Sequence, residues 1–230
     1  MKNKLVKEII FYAASAVVFI YYIYAEFFTG NAVSAVFRAA LLLVGATFAT
    51  FGALTKAYAL ESNQASLVMK RTFFVFFVLY VAFVLNITLF DSFYGRSQQL
   101  IFSFPKGVIK RYVSQNANVV PFKTVSLYVN AYQTKNVTIG EFVTNIFGNL
   151  AAFMPFGLFL PLYFSKTRKF SNFAAAMFFI VLFVETLQLI TMSGAFDVDD
   201  IILNVAGACL FFLITKTRAF GKALEKVHLK

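Results

Sequence analysis

Residues 142–164 read FVTNIFGNLAAFMPFGLFLPLYF, a run without a single charged side chain. A helix needs about 20 mainly apolar residues to cross a hydrocarbon core of about 30 Å, and this run meets that length. Comparable apolar blocks recur on both sides, at 9–28, 32–54, 72–90, 173–192 and 200–216. The last is the shortest and draws on Asp200, Thr215 and a snorkelling Lys216 to span. The pattern predicts an all-α protein: a polytopic transmembrane helical bundle of about six transmembrane helices.

Composition agrees. Hydrophobic residues make up 60% of the 230 and charged residues 13%, against about 25% charged in soluble domains. Thirty-two Phe and eleven Tyr leave too few charges to cover a water-soluble globule. The net charge of +11 does not imply nucleic acid, because the cations flank the apolar blocks as they do in cytoplasmic loops of membrane proteins. Cys209 has no second cysteine to pair with, and His228 sits in the C-terminal tail. Disulfides, Cys-ligated metals, zinc hydrolysis and Ser-His chemistry are therefore not expected. No cofactor motif and no metal site is read. Lys2, Lys4 and Lys7 before an apolar run resemble a signal peptide, but the run is of spanning length without a small-residue cleavage site, so it reads as a retained anchor.

Counting Lys and Arg orients the chain. With the N-terminus inside, inside segments hold fourteen of the twenty-one, six lie in the long 91–141 loop, and Arg38 lies within the second block. Both termini are thus expected in the cytoplasm. The 91–141 loop is not plain linker: 100–113 and 119–132 mix aromatic, aliphatic and basic residues, as amphipathic segments on the outer surface do.

On this topology Asn86, Asn145, Asn149, Glu185, Gln188 and Asn204 all fall in the outer half of the membrane. Intramembrane polar groups are costly unless they face protein or water, so the convergence predicts a shared polar cavity opening outward. Spacing agrees: Glu141, Asn145 and Asn149 share a helix face, as do Glu185 with Gln188 and Asp200 with Asn204. Interhelical hydrogen bonding, worth about 1 kcal/mol each, is the plainer account of the Asn residues; for Glu185 the functional reading leads. Asp197, Asp199 and Asp200 crowd the start of the last helix. Helix capping explains one of the three, and the surplus suits a cation or a cationic ligand, with no EF-hand loop present. Pro155 and Pro161 should kink the fourth helix and leave polar backbone open below the cavity, unless they form an ordinary transmembrane kink. Glu26 and Arg38 are expected to pair structurally, and the Phe-rich stretches 73–77 and 178–183 to face lipid and pack.

Asn118-Val-Val-Pro121-Phe122, Gly148-Asn149 with Phe153-Met-Pro155-Phe156-Gly157, Glu185-Thr-Leu-Gln188, and Asp197-Val-Asp-Asp200-Ile-Ile-Leu-Asn204-Val-Ala-Gly207, in this order and spacing, resemble the VanZ-like family. The resemblance covers 72–215, with 1–71 as a two-helix N-terminal addition and 216–230 as a basic cytoplasmic tail. It implies a bacterial cell-membrane protein linked to resistance to teicoplanin, a lipoglycopeptide. By motif, the candidate site is Asn118, Pro121, Asn149, Pro155, Gln188, Asp197 and Asn204 for binding, with Glu185 and Asp200 as candidate catalytic carboxylates. Members often carry an Arg where this chain has Ala195-Phe196; its loss weakens a phosphate-binding reading unless Arg96 or another loop cation substitutes.

Two functions stay open. One is an outward cavity that binds an amphiphile, a lipid-linked cell-wall component or the lipoglycopeptide itself, with membrane lipids as partners. The other is a membrane enzyme on a lipid-linked envelope substrate, using Glu185 and Asp200. A transporter is disfavoured because the polar residues do not continue into the inner half. Oligomeric state is not legible.

Overall fold

The computed structural model describes residues 2–28, 33–90, 107–136 and 138–229. Among the described residues the architecture is all-α apart from one two-residue ladder. In chain order it runs α1 (Lys2–Phe27), α2 (Ala35–Ala57), α3 (Ser62–Leu89), α4 (Val108–Asn116), β1 (Ala117–Asn118), α5 (Lys123–Gln133), α6 (Ile139–Ala152), α7 (Phe156–Tyr163), α8 (Phe170–Ile190), β2 (Phe196–Asp197), α9 (Val198–Thr215) and α10 (Arg218–Lys226). Among the described residues six spans are long and apolar enough to cross a membrane: α1, α2, α3, the α6–α7 run Phe142–Tyr163, α8 and α9. This is a multi-pass membrane protein.

Helices outrun their apolar blocks. The third block starts at residue 72, yet α3 begins at Ser62 and carries Lys70 and Arg71 within it. Hydropathy marks where a helix meets lipid, whereas the backbone hydrogen-bond ladder continues until something caps or breaks it. In the long loop, α4 and α5 overlap the two segments expected to be amphipathic but run past their ends, to Asn116 and Gln133; residues 100–106 and Arg96 lie outside the described residues.

Packing divides the chain into two compact units, 1–87 with 218–230 and 88–217. In the first, α2 presents Gly45, Ala49, Gly52, Ala53 and Ala57 as a small buried face. A Cβ at Gly45 would come within 2.8 Å of the Phe19 ring of α1, and one at Gly52 within 3.1 Å of the Tyr12 ring. With lipid tails as apolar as the side chains, such close approach is what holds transmembrane helices together. Ser15 Oγ also donates across to Gly45 O at 2.9 Å. Glu26 and Arg38 do pair, at 3.3 Å and buried. Asn86 donates to the other Glu26 oxygen, so both oxygens of the carboxylate are engaged.

In the second unit α9 is gripped on two sides. A Cβ at Gly207 would fall 1.7 Å from Leu150 O of α6, and one at Gly157 of α7 would fall 2.5 Å from Phe212 N. Only glycine allows backbones so near. Phe173 of α8 stacks on Phe212 at 4.6 Å between ring centroids, and Lys216 Nζ lies 4.7 Å over the same Phe212. The buried stripe of α8 runs Phe173, Met177, Val181, Val184, Glu185 and Gln188, so the face that packs apolar at one end turns polar at the other. Phe178, Phe179 and Phe183 are exposed on the remaining surface of α8.

Candidate functional site

The α5 helix starts at Lys123 after Phe122, which adopts φ 62° and offers no side-chain cap. Its first N–H groups therefore need an acceptor from elsewhere. Asp199, one residue into α9 and 1% exposed, supplies it: its carboxylate accepts from the backbone N–H of Phe122, of Thr124 at 2.7 Å and of Val125 at 3.1 Å. Asp197 caps its own helix, accepting from Asp199 N at 2.9 Å. It also accepts from Asn118 Nδ2 at 3.0 Å and from Thr124 Oγ1. The Thr124 hydroxyl in turn accepts from the same Asn118 amide at 3.1 Å. The parallel pairing of β1 with β2, Ala117 with Phe196 and Asn118 with Asp197, and a bond from Tyr112 Oη to Gly194 O at 3.0 Å fasten the α4–α5 segment to the α8–α9 turn.

This assembly encloses a cavity of about 200 Å³ between α5, α6, the end of α8 and the start of α9. Thr124, Tyr128, Asn145, Asn149, Gln188, Asp197, Asp199 and Asp200 supply its polar wall, with Ala195 beside them. Asn149 Nδ2 donates to Asp200 Oδ1 across α6 and α9. Gln188 Nε2 donates to Thr88 O at 2.9 Å.

The candidate residues divide accordingly. Asn149, Gln188, Asp197 and Asp200 line the cavity. Asn118 acts through Asp197 and Thr124. Glu185 is 4% exposed and accepts from Asp197 N at 3.1 Å, which places it behind the wall. Asn204 is buried one turn beyond Asp200, and its Oδ1 has no hydrogen-bond partner among the described residues. Pro121 is exposed in the turn before α5.

Two expectations need correction. Pro155 opens α7 after a full break at 153–155, and the carbonyl of Ala151 that it cannot reach is taken by Met154 N at 3.1 Å, so that backbone is not left open. Asn86 does not join the cavity wall: it bonds to Glu26 within the first unit, because depth in a membrane does not decide which neighbour a side chain meets. The side chain of Glu141 lies outside those described.

The acidic cluster proves to be divided in labour: Asp197 caps α9, Asp199 caps α5 and Asp200 meets Asn149. Among the described residues no three His, Cys, Asp or Glu side chains are arranged to hold a metal ion. Thr124 and Tyr128 are absent from the sequence reading, and Asp199 entered it only as one of the acidic cluster, not as a member of the motif-derived site. The signal for Asp199 was a helix start at Pro121-Phe122-Lys123 lacking any capping side chain of its own.

A family model described as VanZ/LLP1 matches residues 77–220. No curated protein and no solved structure gives a match.

Proposed function

The chain belongs to the VanZ/LLP1 family, and from that premise we propose that it is a bacterial cell-membrane protein whose cavity opens outward and binds the head group of an amphiphile or lipid-linked cell-wall component. Binding there alters sensitivity to lipoglycopeptides such as teicoplanin. Both termini are cytoplasmic in this reading, which rests on fourteen of twenty-one cations falling on that side.

One observation carries the reading: polar side chains from α5, α6, α8 and α9 meet around a single cavity at the ends of spanning helices. An ionisable residue at such a position, here Asp200, points to a functional site by default, and the amides of Asn149 and Gln188 share its cavity. Size narrows the occupant. At about 200 Å³ the cavity is smaller than the roughly 300–1,000 Å³ of drug-sized sites. It suits a head group with its acyl chain in the bilayer, not an entire lipoglycopeptide. The enzyme reading has less behind it, because Glu185 is engaged with the backbone of Asp197 and only Asp200 of the two carboxylates is in the wall.

Expression in a lipoglycopeptide-susceptible bacterium tests the proposal. The wild-type chain should raise the inhibitory concentration, and Asp200→Ala and Gln188→Ala should lose that effect at unchanged membrane abundance. Gly148→Ala, where an added Cβ meets nothing within 4 Å, should keep it. Full activity of both cavity variants would overturn the proposal.

A further inference from the structure

The last helix, α10, is two-faced. Arg218, Lys222 and Lys226 fall at i, i+4 and i+8, so they form one stripe about 12 Å long at 1.5 Å of rise per residue, and all three are exposed. Glu225 is the helix's one acidic residue. Phe220, Gly221, Leu224 and Val227 occupy the other side, where Gly221 is buried and the other three are half-buried. Ala219 and Ala223 lie exposed along the seam between the faces.

The residues that follow pin this helix in place. His228 takes φ 54° just past its end, and Leu229, only 4% exposed, donates its N–H back to Leu224 O at 2.9 Å, which closes α10. His228 also meets the ring of Tyr58 edge-on, with centroids 5.8 Å apart. Tyr58 caps α2 in the turn before α3, so α10 is fastened at the ends of two spanning helices of the first unit, on the side expected to face the cytoplasm.

A basic stripe, an incompletely covered apolar face and a place at the end of membrane spans together make an interfacial helix. Lys216, Arg218, Lys222, Lys226 and Lys230 put five cations between residues 216 and 230, within the number at which basic clusters beside a span attract anionic lipid. A soluble polyanion would use the stripe alone and leave the apolar seam uncovered. We infer that α10 is a binding site for anionic phospholipid of the inner leaflet, with the phosphate on the Arg218–Lys222–Lys226 stripe and the acyl chains along the seam at Ala219 and Ala223. The site is separate from the cavity and does not depend on what the cavity binds.

The full chain in neutral detergent, carrying an environment-sensitive dye at Ala223→Cys in a Cys209→Ala background, should be titrated with short-chain phosphatidylglycerol and phosphatidylcholine. Phosphatidylglycerol should bind tighter, and Lys222→Gln/Lys226→Gln should weaken it about fivefold for each cation removed while leaving phosphatidylcholine unmoved. Lys222→Arg/Lys226→Arg keeps the charge and should keep the preference. Lys4→Gln/Lys7→Gln removes the same charge from exposed positions of α1 and should change little. Equal binding of the two lipids would overturn the inference, and an equal loss from the α1 pair would trace the preference to total charge and overturn the assignment to α10. Displacement by glycerol phosphate at the concentration at which the lipid binds would assign a soluble anion and overturn the lipid reading.

Discussion

The carboxylate of Asp199 accepts the backbone N–H of Thr124 at 2.7 Å, joining the starts of two helices that lie 75 positions apart in the chain. One buried side chain thereby caps the start of α5 and anchors it to α9, two of the elements that line the cavity. Asp199→Ala should leave three N–H groups without their acceptor, at a cost of about 1–3 kcal/mol for each that stays buried and unsatisfied. Hydrogen exchange should accelerate at Phe122, Thr124 and Val125 while the amides of α2 hold their protection. Unchanged protection at Thr124 would show that α5 does not rely on this carboxylate.

The two glycine contacts of α9 predict an asymmetry between neighbouring glycines. Gly207→Ala places a methyl where Leu150 O already sits, and backbone cannot move aside as a side-chain tip can. Overpacking of this kind costs about 1–3 kcal/mol and more where backbone must shift. Melting in detergent should show a clear loss for Gly207→Ala and almost none for Gly148→Ala. A wild-type melting temperature for Gly207→Ala would contradict the close approach of α6 and α9.

In the first unit, Glu26→Ala removes the carboxylate that pairs with the Arg38 guanidinium, which is 2% exposed. Breaking a buried pair from one side costs about 3–5 kcal/mol, whereas replacing both partners by apolar groups is often close to neutral. Glu26→Ala should therefore melt well below wild type, with Glu26→Met/Arg38→Met recovering most of the loss. Equal stability of the single variant and wild type would mean the pair contributes nothing.

Orientation is open to chemical labelling in a Cys209→Ala background. Val119→Cys, at a position 69% exposed between β1 and α5, should react with an impermeant thiol reagent in intact cells. Ser62→Cys, at the start of α3, should react only after lysis. The reverse pattern would invert the topology and turn the cavity toward the cytoplasm.

What the sequence by itself determined was the set of membrane spans and the chemistry available to them. Apolar length, cation placement and the order of the Asn, Pro, Glu and Asp motifs are local properties, since a helix satisfies its own backbone in lipid wherever about 20 apolar residues occur. Residues 142–164 read correctly as a span even though α6 and α7 break at Phe153–Pro155 within it. Tertiary structure alone decided which polar side chain meets which. Asn86 and Asn149 look alike in sequence, yet one completes the Glu26–Arg38 pair and the other meets Asp200 across the cavity. The three aspartates likewise read as one cluster until α5 arrives with uncapped N–H groups and draws Asp199 away. A hydrogen bond is set by distances of about 3 Å between groups far apart in the chain, and periodicity along one helix does not carry that information.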